Sequence, residues 1–64
     1  MNKEELINYI RVNDTGDGTK VEDIEKHFEE KHFEDEEHTS KMIMVLLSCG
    51  DVYEIKPGKL KVLE

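Results

Sequence analysis

The chain has 64 residues, 36% of them hydrophobic, with nine Lys and Arg against sixteen Asp and Glu for a formal net charge of −7. A chain this short is expected to form one domain, residues 1 to 64, that buries only about 60% of the surface its unfolded form exposes, so every apolar residue is a candidate for the core. One Cys and no Trp exclude a disulfide framework and a Cys-based metal site, and no apolar run approaches the roughly 20 residues of a membrane span, which points to an intracellular protein.

Leu6, Ile7 and Ile10 recur at helical spacing and predict a first helix over Lys3 to Asn13, with Glu4 and Glu5 in the first turn where the helix dipole favours them. Tyr9 and Arg11 lie away from that stripe. Asn13-Asp14-Thr15-Gly16-Asp17-Gly18 has the composition of a loop. A short strand at Thr19 to Val21 then competes with a capping box, Thr19-x-x-Glu22, for the same threonine. Val21, Ile24 and Phe28 predict a second helix from Glu22 to Lys31. After Glu34, Asp35 is a good N-cap for a third helix from Glu36 to Ser48 or Cys49, and Gly50 stops it in a left-handed conformation.

The last fifteen residues, Gly50 to Glu64, read as one β-hairpin joined to the third helix without a linker. Val52-Tyr53-Glu54-Ile55 and Leu60-Lys61-Val62-Leu63 are strand formers, and Pro57-Gly58 supplies the fixed φ and the positive φ of a tight turn. A two-residue turn pairs Ile55 with Leu60 and Tyr53 with Val62 on one face, and Glu54 with Lys61 on the other. The expected fold is α+β, mainly α: a winged helix-turn-helix of three helices followed by a C-terminal hairpin wing. Its core is expected to hold Ile10, Ile24, Phe28, Met42, Ile43, Leu46, Tyr53, Ile55, Leu60 and Val62.

The chain resembles the C-terminal winged-helix domain of archaeal minichromosome maintenance (MCM) replicative helicases. The strongest part of the likeness is Gly50-Asp51-Val52-Tyr53-Glu54, a variable pair, Pro57-Gly58, then Leu60-Lys61-Val62, against a family phrase of the form G-[ED]-[IV]-Y-E-x-x-P-G-x-[LI]-K-x. Val21-Glu22-Asp23-Ile24 and Asp35-Glu36-Glu37 agree more weakly. The resemblance implies a module of a hexameric ATP-driven DNA helicase, itself monomeric when isolated, in the cytoplasm or nucleoid of an archaeon. It also implies regulation of helicase activity and docking to a replication-initiation protein or to the parent helicase's ATPase domain.

Family members generally intersperse charges through the third helix, whereas Met42 to Leu47 is continuously apolar here. A helix packed on one side needs about half of its positions apolar, so Met44 and Leu47 are surplus once Met42, Ile43 and Leu46 point inward. With the acidic rim of Glu36 and Glu37 they form the candidate protein-interaction surface.

Residues 1 to 55 hold six Lys or Arg against fifteen Asp or Glu, whereas residues 56 to 64 hold three Lys against Glu64. Affinity for nucleic acid comes largely from cations that neutralise phosphates, so Lys56, Lys59 and Lys61 are the candidate backbone contacts, for weak binding at most. Lysines that protect an exposed hairpin edge serve equally well without a ligand. Asp35, Glu36, Glu37 and His38 start the third helix where a groove-reading helix contacts bases, and the three carboxylates among them would repel a duplex.

No catalytic residue, cofactor or metal is expected. Gly16-Asp17-Gly18 lacks the Gly-Lys-Ser/Thr that cradles phosphates, and placing Gly18 at the turn position of a calcium loop puts Ile24 where a bidentate Glu is required. His27, His32 and His38 lack metal-ligand spacing and read as surface imidazoles. Ser40, Ser48 and Cys49 belong to no nucleophile motif. The leading expectation is therefore a non-catalytic regulatory and interaction module. The alternatives are a weak DNA-binding winged helix using the basic wing and a free-standing small regulator.

Overall fold

The computed structural model describes every residue except Glu34, and of His32 the backbone alone. The elements run α1 (Lys3–Val12), β1 (Thr19–Lys20), α2 (Val21–His32), α3 (Glu36–Cys49), β2 (Val52–Lys56) and β3 (Lys59–Val62). The strands form one antiparallel sheet in the order β1-β3-β2, with the hairpin's second strand in the middle. Glu34, expected in the acidic turn before α3, lies outside the described residues. Among the described residues no helix is long and apolar enough to cross a membrane.

The capping box belongs to α1, not to α2. Asn2 Oδ1 accepts from the Glu5 backbone N–H at 2.8 Å while Glu5 Oε1 accepts from the Asn2 N–H at 3.1 Å, satisfying two of the helix's orphan donors. Thr19 instead lies in β1, opposite Leu60, and its hydroxyl donates to the Ile10 carbonyl at 2.8 Å in the interior. A buried hydroxyl needs a partner, and the end of α1 supplies one that an exposed cap position does not. Lys20 is left at the N-cap of α2 without a side-chain bond, and Asp35 caps α3 through the Glu37 N–H.

Leu6, Ile10, Ile24, Phe28, Ile43, Leu46, Val52 and Leu60 make up the buried apolar core, with Met42 and Val62 packed partly buried against it. Each fully buried side chain of this size contributes about 1.5–3 kcal/mol. Tyr9 also packs on the core, contrary to its expected place off the stripe. Its ring stacks on His27 at 4.2 Å and meets Phe28 edge-on at 5.5 Å, so the gap between α1 and α2 is filled by aromatic faces. His27 is accordingly half-buried, not the surface imidazole expected.

Two expected core residues fall outside it: Tyr53 is 38% and Ile55 37% exposed, while Val52 is buried. The cause is a bulge. Lys56 pairs with Lys59 across the turn, but the ladder then continues as Glu54↔Leu60, Tyr53↔Lys61 and Val52↔Val62, so that Ile55 is an extra residue on β2. One inserted residue sends every preceding side chain of the strand to the opposite face. The turn supplies the motive. Pro57, whose ring fixes a negative φ, followed by Gly58 at φ 79° matches the φ pattern of a type II turn, whose twist opposes that of the strands, and a bulge accommodates such a mismatch. Glu54 stays exposed although it faces Leu60, because its Oε2 accepts from the Gly58 N–H at 3.1 Å.

Phe33 ends α2 at φ 53° with its ring 91% exposed, and Val12 and Cys49 are exposed as well. Gly50 ends α3 at φ 80°, its N–H directed to the Leu46 and Leu47 carbonyls. Gly18, at φ 89°, has the least room of the four glycines: a Cβ there would lie 2.9 Å from both Ile55 Cγ2 and the Leu60 carbonyl oxygen. Gly18→Ala is therefore expected to lower the unfolding free energy by about 3 kcal/mol, since backbone strain and overlap act together. Gly16, also left-handed but in open space, bears only the strain, so urea denaturation should show a smaller loss for Gly16→Ala.

Candidate functional site

The acidic loop before β1 is built around Asp14. Its Oδ1 accepts from the Gly16 N–H at 2.7 Å and the Gly18 N–H at 3.0 Å, an Asx turn that closes the loop, while its Oδ2 receives the Lys61 ammonium at 2.6 Å. The hydrogen bond from Lys61, followed by that from Gly16, holds the Asp14 carboxyl below its ordinary value. The same contact raises the Lys61 ammonium. Lys56, beside the turn, reaches Asp17 of this loop at 3.4 Å. Two of the three candidate nucleic-acid contacts on the hairpin are thus neutralised by carboxylates remote in sequence. Of the three, Lys59 alone keeps its charge uncompensated by an ion pair among the described residues.

The hairpin is therefore not the sole cluster of positive charge, as the charge pattern along the chain suggested. Lys3 pairs with Asp51 at 2.7 Å, Arg11 with Glu64, and Lys41 with Glu37 at 3.2 Å. Together with Lys56 and Lys61, these account for five of the nine cationic side chains. The other four, Lys20, Lys26, Lys31 and Lys59, all line one groove of about 420 Å³ between the end of α1, α2 and the β1 side of the sheet. Tyr9 and His27 form part of its wall, and among the described residues Asp23 and Glu30 are its only carboxylates. Burial raises the Tyr9 phenol above its ordinary value, and its hydroxyl donates to the Asp23 carbonyl at 3.4 Å. This cluster escaped the linear charge count because its members come from β1, α2 and β3. The one local sign was the Lys26/Lys31 pair on a single helix.

On α3 the structure separates the apolar run into two faces. Ile43 and Leu46 are buried, whereas Met44 is 65%, Val45 45% and Leu47 39% exposed. Met44 and Leu47, three residues apart, lie next to each other on the helix surface, and Val45 widens the exposed apolar area. Glu36 and Glu37 are exposed at the start of the same helix, and Glu37 lies two turns, about 10 Å along the axis, before Met44. Thr39 is fully buried, and Ser40 donates to Glu25 of α2 at 3.3 Å. What the first turn of α3 presents to solvent is thus an acidic surface with His38 among the carboxylates.

Among the described residues no group of three or more His, Cys, Asp or Glu is arranged to hold a metal ion. The side chain of His32, one of the three imidazoles considered for a metal, lies outside them. Comparison with protein-family models, with curated proteins and with solved structures finds no match to this chain.

The Asp14–Lys61 contact has a defined pH dependence. A carboxyl whose folded pKa is depressed contributes stability above its ordinary value near 3.8, and that contribution is lost as pH falls through the lower folded value. Lys61, raised from 10.5, contributes below that value and loses its share as pH rises through the folded one. Asp14→Asn keeps the acceptor for Gly16 and Gly18 but removes the charge. Thermal unfolding should show wild type above this variant at neutral pH, with the gap closing once pH falls below the ordinary carboxylate value.

Proposed function

We propose that the chain is a winged-helix interaction module that acts without catalysis of its own within a replicative DNA helicase of the MCM type. Its role there is to regulate the hexamer and to dock a replication-initiation protein or the adjoining ATPase domain. The observation that carries this reading is the solvent-exposed apolar surface of Met44, Val45 and Leu47 on α3. A helix that presents such a surface beside the acids of its first turn is suited to a protein partner with a matching apolar patch and basic rim, and unsuited to phosphates. The element order and the β1-β3-β2 sheet are those a winged helix requires, and the Gly50-to-Val62 phrase supports the particular family. The pairing of Lys56 with Asp17 and of Lys61 with Asp14 weighs against the DNA-binding alternative, because each removes a cation from the wing.

Met44→Glu places a charge on a well-exposed position and should change unfolding free energy by no more than about 0.5 kcal/mol, whereas Leu47→Glu, at a residue only 39% exposed, should cost about 1 kcal/mol. Added to the parent helicase, the two together should weaken partner capture and alter ATPase and unwinding rates as deletion of residues 1 to 64 does. Unchanged capture and unchanged rates in the doubly substituted helicase would refute the proposal. The genomic sequence upstream of Met1 offers a first check, since the reading requires an ATPase domain encoded there.

A further inference from the structure

The four lysines of the groove between α1, α2 and β1 stand apart from every other cation in the chain. Among the described residues the remaining five each have a carboxylate within ion-pairing distance, in a protein with sixteen acids to draw on. Lys20, Lys26, Lys31 and Lys59 have none among the described residues, yet all four line the same groove. Two of them are placed at a cost: Lys20 and Lys59 are directly opposite each other on β1 and β3, and like charges in that position destabilise a sheet. Lys56, paired with Lys59 on its other side, is relieved by Asp17, whereas among the described residues no carboxylate relieves the Lys20–Lys59 pair.

We propose that this groove binds a small phosphorylated ligand carrying two or more phosphate groups. Among the described lining residues, four lysines against Asp23 and Glu30 leave a local charge of +2 in a protein of net −7. A compact di- or triphosphate, two to four charges in a short chain, is matched by that local field and relieves the Lys20–Lys59 repulsion. The volume of about 420 Å³ suits a ligand of metabolite size. A long polyanion is disfavoured by what flanks the groove on α2: leaving it, a nucleic-acid backbone would meet the exposed Glu22 and Glu29, one helical turn to either side of Lys26. Nothing in this proposal depends on the helicase reading, since it uses neither the exposed face of α3 nor a parent protein.

The test is titration of the 64-residue chain with sodium pyrophosphate at low ionic strength, followed by amide NMR shifts. Saturable shifts should centre on Thr19, Lys20, Lys26, His27 and Lys59. Lys20→Gln with Lys59→Gln should weaken the apparent affinity roughly tenfold through the loss of two charge-assisted contacts, whereas Lys3→Gln with Lys41→Gln should not change it. Lys3, Lys20 and Lys41 are exposed and Lys59 is half-buried, and a thermal melt of each variant confirms its fold. Absence of shifts at millimolar pyrophosphate, shifts spread evenly over all lysines, or an affinity unchanged in the Lys20/Lys59 variant would each overturn the proposal. Saturation of the same amides by duplex DNA at lower phosphate concentration than pyrophosphate requires would overturn it in favour of a nucleic-acid groove.

Discussion

Thr19 joins three parts of the chain at once. Its backbone pairs with Leu60 in the middle strand, its hydroxyl donates to the Ile10 carbonyl at the end of α1, and the residue after it occupies the N-cap position of α2. An isolated two-stranded hairpin is marginal in water, and three strands with an apolar face packed on helices are the least that makes it stable. The third strand here is only two residues long, so its position must be held by something other than its own ladder. Gly18 does this by bringing backbone against Leu60 where no side chain fits, and the Asp14 turn sets the approach.

The same loop determines the electrostatics of the hairpin. By carrying Asp14 to Lys61 and Asp17 to Lys56, it converts a stretch that is basic in sequence into one that is largely neutral in space. Meanwhile cations scattered over three elements gather around the groove beside Tyr9 and His27. The sign of a segment's charge is therefore a poor guide to where this protein presents positive potential, because ion pairs act over a few ångströms regardless of separation along the chain. On α3 the apolar run has the opposite fate. Two of its members complete the core, and Met44, Val45 and Leu47 remain at the surface, since a helix has one buried side however long its apolar run is.

Much of this was legible in the residues. The three helices follow from apolar spacing, and α3 ends where Gly50 takes a left-handed conformation. The exposure of Met44 and Leu47 follows from counting how many apolar positions a one-sided helix can use. The α1 cap was legible too, as Asn2 three residues before Glu5, had Asn been weighed beside Ser and Thr as the first member of a capping box. The register of the hairpin was not. Alternation along 52–55 fits either face equally well, and only the bulge at Ile55 decides that Val52 is buried and Tyr53 is not.

What the sequence by itself determined is local: helix periods, turn residues, the two strand-forming runs and the excess of acid. These depend on neighbours within a few positions, where backbone preference and side-chain spacing suffice. What only the tertiary structure decided is pairing: Thr19 with Ile10, Tyr9 with His27, the hairpin lysines with the loop acids, and the four lysines with one another around a groove. Each joins residues whose proximity depends on the packing of whole elements, and no rule of spacing along the chain contains that distance.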